Sequence, residues 1–184
     1  MENNNKSSNH AFFSYCRNPN IKFETYEKGE EVILLLRAHP ITLLGNVLNA
    51  IFLIIFLIIV NFVIYQFFNA NQIFLINIFS IVFIISYLWY VFLNWYFNVG
   101  IITDKKVVDV DFSSILYKEI TVAQLKKIED ITVKSGGYFE SLFDYGIVFI
   151  QTAGTEANIE FINIAKPSDV ASEINKLLSH KHEP

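Results

Sequence analysis

Residues 41–98 read ITLLGNVLNAIFLIIFLIIVNFVIYQFFNANQIFLINIFSIVFIISYLWYVFLNWYFN, 58 positions without a single Lys, Arg, Asp, Glu or His. A helix that faces water needs a polar stripe, and this stretch has none to offer. The remaining chain is too small to cover two such helices, so an ordinary soluble globular protein is excluded. A bilayer core takes about 20 apolar residues per helix. Fifty-eight residues therefore fit two spans and a tight connection. The short polar cluster Asn69, Ala70, Asn71, Gln72 marks the connection, because backbone there must leave the hydrocarbon or find other partners. The expected hairpin has a first transmembrane helix over 41–68, an extracytoplasmic turn over 69–72 and a second helix over 73–97. Pro40 stands at the helix beginning, and Trp89, Trp95 and Tyr96 suit an interfacial belt.

Working outward, the flanks give orientation. Lys22, Lys28 and Arg37 precede the hairpin, and Lys105, Lys106 and Lys118 follow it, whereas the connection has no basic residue. The positive-inside rule places both termini in the cytoplasm, with the chain in the cell membrane. The whole chain has 184 residues, is 17% charged and carries a formal net charge of -4. A nucleic-acid binder does not fit that charge, and Cys16 as the only cysteine excludes a disulfide scaffold. Residues 1–27 read as a polar, partly disordered region carrying aromatics. Phe12, Phe13, Tyr15, Ile21 and Phe23 are placed there to pack on the folded domain or lie on the bilayer. Residues 28–40 form a juxtamembrane segment whose 31–36 run (EVILLL) reads as a short strand or as a lead into the first helix.

Asparagines punctuate the hairpin. Asn61 and Asn77 fall at similar depths from the turn, and Asn46 and Asn94 fall opposite one another near the cytoplasmic end. Matched carboxamides suit interhelical hydrogen bonds. They do not suit a solute path, which charged or titratable intramembrane groups would mark.

From residue 99 the period shortens. Residues 99–103 and 106–110 are β-prone around an Asp104-Lys105 turn. Residues 115–122 suggest a third strand, and Leu125, Ile128, Ile131 and Val133 a fourth that stops at Ser135-Gly136-Gly137. Residues 138–145 are ambiguous. Residues 146–152 and 157–162 form a hairpin about a turn over 153–156. After Pro167, the residues Val170, Ile174, Leu177 and Leu178 recur at helix spacing, with Ser168 or Asp169 as N-cap. This reads as an antiparallel sheet or barrel closed by a C-terminal amphipathic helix, spanning 98–180, with a tail over 181–184.

Several features, in order, carry a resemblance. They are Gly29-Glu30-Glu31 running to Arg37-Ala38-His39-Pro40, two close membrane helices, and Ile102-Thr103-Asp104-Lys105-Lys106-Val107-Val108. Leu125, Ile128-Glu129-Asp130-Ile131, Tyr145-Gly146, Gln151-Thr152-Ala153-Gly154 and Pro167 follow. With them the sequence resembles the bacterial membrane-anchored pleckstrin-homology-like domain proteins, the YdbS-like family. The resemblance covers roughly 28–178 and departs at Asp111-Phe112-Ser113-Ser114 and at Lys105. It implies an α+β membrane protein: a two-helix transmembrane hairpin followed by a pleckstrin-homology-like antiparallel β-barrel or sandwich, capped by a C-terminal α-helix. It implies no chemical activity, and fold alone supplies none.

Catalytic chemistry is not legible. His10 lies in the first polar run, His39 beside the membrane entrance, and His180 and His182 near the chain end. No phosphate loop, metalloprotease helix or nucleotide fingerprint appears. Glu129 and Asp130 are adjacent on a strand and point to opposite faces. The expectation is a non-enzymatic, membrane-tethered interaction or scaffold module, without cofactor or metal. Its expected partners are the lipid bilayer and a protein or a second copy, not nucleic acid. Two other readings stand beside it. One is a membrane-anchored lipid-surface sensor touching anionic lipid through Lys105 and Lys106, each basic group contributing on the order of 1 kcal/mol. The other is an accessory subunit of a transport or membrane-enzyme complex.

Overall fold

The computed structural model describes residues 14–114, 117–154 and 157–182. Phe12, Phe13, Ile115, the Thr155-Glu156 half of the expected turn and the last two tail residues lie outside them. The chain divides into two units, Met1–His39 with Tyr96–Pro184, and Pro40–Trp95.

The second unit is helical. After a single 3-10 turn at Pro40–Leu43, α1 runs over Leu44–Ile64, and α2 runs over Ala70–Phe97. At 1.5 Å per residue these helices are about 31 and 42 Å long. Both spans are long and apolar enough to cross a membrane, with mean hydropathies of 3.0 and 2.1. Ala50 and Ile84 are their only buried side chains. The connection lies earlier than residues 69–72. The last carbonyls of α1 are taken up by turns at Gln66, Phe67 and Phe68. Asn69 then precedes α2, and the Gln72 side-chain oxygen accepts from the Asn69 N–H at 3.0 Å, half of a capping box. The polar cluster is thus the first turn of a helix rather than the loop before it.

The first unit is two antiparallel sheets. One has the order β1 (Tyr15–Arg17), β2 (Val32–Leu36), β3 (Val99–Thr103), β4 (Lys106–Ser114), β5 (Tyr117–Gln124). The other joins β6 (Ile128–Lys134), β7 (Tyr145–Thr152) and β8 (Ile159–Ala165). The short helix α3, Tyr138–Phe143, connects β6 to β7, and the helix α4, Pro167–His182, packs against β6 and β7. Leu34, Leu36, Ile102, Val107, Val148, Ile150, Phe161, Val170 and Ile174 make the core between the sheets and α4. A second cluster lies on the outer face of the larger sheet, where Ile21 and Phe23 pack on Leu35, Ile101 and Val108. Both faces of β2 and β3 are therefore covered, which is why they read as unbroken apolar runs instead of alternating ones. The 31–36 run resolves as strand, and with β1 it extends the sheet beyond the 98–180 stretch.

The sheets do not close into a barrel. Between β5 and β6 the buried Leu125 sits in a 3-10 turn, Leu125–Lys127, and the ladder breaks there. Across the other seam one bridge, Ala38 to Ile164, links the two sheets. Gly100 lets them approach, since a Cβ there would lie 2.4 Å from the Phe161 ring.

Candidate binding cleft

The open seam forms a cleft of about 240 Å³ between the ends of β2, β3 and β4 and the strand β8. Its polar character follows from strand phase. Val107 is buried in the core, and Asp109 and Asp111 continue on that same face of β4 as the sheets diverge. Asp111 also stands directly across from Glu119 on β5. Burial, then the neighbouring Asp111 and Glu119 carboxylates, push Asp109 up to about 7 against an opposing Val110 backbone hydrogen bond. Burial and Glu119 raise Asp111 too. Arg37 forms the opposite wall. It is buried, its Nε donates to the Tyr96 carbonyl at 3.1 Å, and its guanidinium lies 4.8 Å from the Tyr96 ring centre. Burial lowers the Arg37 pKa, and Tyr96 partly offsets this.

β8 ends its sheet. On its outer side Ile164 bridges Ala38, and the Asn163 carbonyl accepts the His39 N–H at 2.7 Å. Toward Ile159, Glu160 is exposed and Ile162 is 55% exposed. The described residues lining the cleft include no hydroxyl, thiol or imidazole side chain. The arrangement offers a strand edge, an apolar floor and an acidic rim, which suits binding.

Lys105 and Lys106 are elsewhere, Lys105 in the β3–β4 turn and Lys106 at the start of β4. Lys106 is 7% exposed. Its Nζ donates to the Thr25 carbonyl at 2.5 Å and pairs with Glu27 at 3.2 Å and Glu30 at 3.4 Å. Lys105 is half-exposed and shares Glu27 at 3.6 Å. The lysine hydrogen bond and charges hold Glu27 below the usual carboxylate range. These lysines hold the 25–30 segment, with Lys106 buried and Lys105 half-exposed.

Within the helical unit, Asn61 and Asn77 donate to one another at 2.8 Å in both directions. Their second N–H groups return to the Leu57 and Ile73 carbonyls, so both carboxamides are satisfied. Asn46 does not meet Asn94; it accepts from the Tyr87 hydroxyl at 2.9 Å.

Asp109 and Asp111 were not singled out from sequence as site residues. The signal was there: two carboxylates repeating at the phase of an inward-facing valine.

The family model described as Bacterial PH domain matches residues 33–178, including both apolar helices. Among solved structures, the chain is similar to a DUF1696 family protein with a pleckstrin-homology domain from Shewanella loihica. The identity is 16% over 45% of this chain and 68% of that one, with a TM-score of 0.33. A comparison with curated proteins finds no match. The family match spans most of the chain, from β2 into the C-terminal helix, and the protein belongs to the bacterial PH domain family.

Proposed function

We propose that this chain is a non-catalytic, membrane-tethered binding module whose two-helix hairpin crosses the cell membrane and whose PH-like unit faces the cytoplasm. The tether is supported by helices whose apolar side chains are exposed almost throughout, an environment that lipid satisfies and water does not. The orientation is supported by basic residues on both flanks and none in the connection. The observation that carries the binding role is the position of β8 at the end of its sheet, beside the acidic cleft. An extended segment of a protein partner adds there as a further strand, with backbone hydrogen bonds giving affinity. Asp109, Asp111 and Glu160 favour a partner segment that is basic.

A photoreactive residue placed at Ile162 in native membranes tests this. Capture of one defined protein, absent when the probe stands at Gln151 on the central strand, is expected. Background capture alone at Ile162 counts against it. The lipid-sensing reading through Lys105 and Lys106 draws no support from their geometry.

A further inference from the structure

The most conspicuous apolar surface of the β-unit is α3, Tyr138–Phe143, between β6 and β7. Tyr138 is 95% exposed, Phe139 67% and Leu142 75%. Such a cluster on a short helix costs solubility unless something covers it. We infer that α3 seats these side chains in the headgroup–acyl boundary of the bilayer, as a second, shallow contact besides the hairpin.

The inference rests on the membrane-tethered reading and on three local observations. First, the C-terminal end of α3 packs on His39, the residue that precedes the first span in sequence. The His39 ring stacks on Tyr145 at 5.7 Å and lies 6.4 Å from Phe143. Pro40, which opens the span, is the next residue. A six-residue helix is about 9 Å long. The residue that precedes the span thus lies against the C-terminal end of this short helix. Second, the composition suits an interfacial position, since Tyr and Phe favour the interface and Leu its acyl side. Third, the one charge inside the helix is withdrawn. The half-buried Glu140 carboxylate accepts from the Gly136 N–H at 2.5 Å, which leaves Tyr138, Phe139 and Leu142 uninterrupted. The contact is apolar and independent of Lys105 and Lys106, so it calls for no particular headgroup.

The test uses the full chain with Cys16→Ala, reconstituted in vesicles of phosphatidylethanolamine and phosphatidylglycerol. One environment-sensitive fluorophore is attached at F139C, L142C, E129C or F62C. Emission at F139C and L142C is expected to shift to the blue, to be lost to shallow lipid-borne nitroxides and to be protected from aqueous iodide. At E129C, on β6, the dye should remain open to iodide and unaffected by the lipid quencher. Iodide quenching at F139C and L142C equal to that at E129C overturns the inference. So does a blue shift without lipid quenching, which means that protein covers the helix. The F62C probe, on α1, separates the two readings. Deep lipid quenching there with none at α3 removes only the α3 contact, and no quenching at F62C removes the tether and the α3 contact together.

Discussion

Replacing Lys106 by Met is expected to destabilise the β-unit far more than a turn lysine should. The Lys106 side chain is 8% exposed and its partner Glu30 is 0% exposed. Removing the ammonium leaves the Glu30 carboxylate buried, with the Glu27 N–H at 2.8 Å as its one remaining donor among the described residues. Stranding one partner of a buried ion pair costs about 3–5 kcal/mol. The exposed Glu27 keeps its solvent, so the lower end applies, about 3 kcal/mol. For a unit of about 130 residues that corresponds to a fall in Tm of roughly 10 °C. Cys16 provides the assay. It is the only thiol, it is buried against the outer face of the sheet, and burial raises its pKa, so it stays unreactive until the β-unit opens. A thiol-activated dye on the full chain in detergent then reads the melting of that unit alone. Glu30→Gln keeps an acceptor for the Glu27 N–H and removes the stranded charge, so the K106M/E30Q double variant should recover at least half the loss. Lys105→Ala, which breaks only an exposed pair, should cost under about 1 kcal/mol. A shift of under about 2 °C for Lys106→Met, or a double variant worse than the single, refutes the reasoning. The outcome also bears on function, because loss of lipid binding on reversing both lysines would report unfolding.

Other expectations follow from the same geometry. Asp109 has a raised pKa, so between about pH 4 and 7 the folded state holds more protons than the unfolded and stability falls as pH rises. Asp109→Asn should remove that slope and, after allowance for solvent screening, add on the order of 1–2 kcal/mol at pH 8, read as the variant-minus-native Tm across pH; parallel profiles would contradict it. Gly100→Ala forces a Cβ against the Phe161 ring and should cost about 1–3 kcal/mol, partly recovered by Phe161→Leu. A full-stability G100A variant in the same thiol assay would mean the sheets are further apart. Asn61→Leu or Asn77→Leu should each lower the stability of the hairpin by about 1 kcal/mol or less, with coupling in a double-mutant cycle. Strict additivity would show that the carboxamides do not meet.

The helices were legible because absence of charge over 58 residues leaves few physical options. The turn was harder, since Asn69 and Gln72 are loop residues by composition and helix-start residues by hydrogen bonding. Strand β1 is three residues long and owes its form to pairing with β2, which no local pattern announces. Residues 138–145 carried no clear period because α3 is short and leaves Tyr138, Phe139 and Leu142 exposed. Lys106 looked like a surface cation because its carboxylates come from residues 79 positions and more than 70 positions away. Asp109 was missed for a related reason: its environment is made by Glu119 on the next strand and by the divergence of two sheets.

The central claim is a β-unit held at the cytoplasmic face by a hairpin that crosses the membrane. Single cysteines at Asn71 and Glu129, in a Cys16→Ala background, test it in intact expressing cells with a membrane-impermeant maleimide. Asn71→Cys should label in intact cells and Glu129→Cys only after lysis, with the chain remaining in the membrane pellet after alkaline carbonate. Labelling of Glu129→Cys from outside, or release of the chain by carbonate, would contradict the claim.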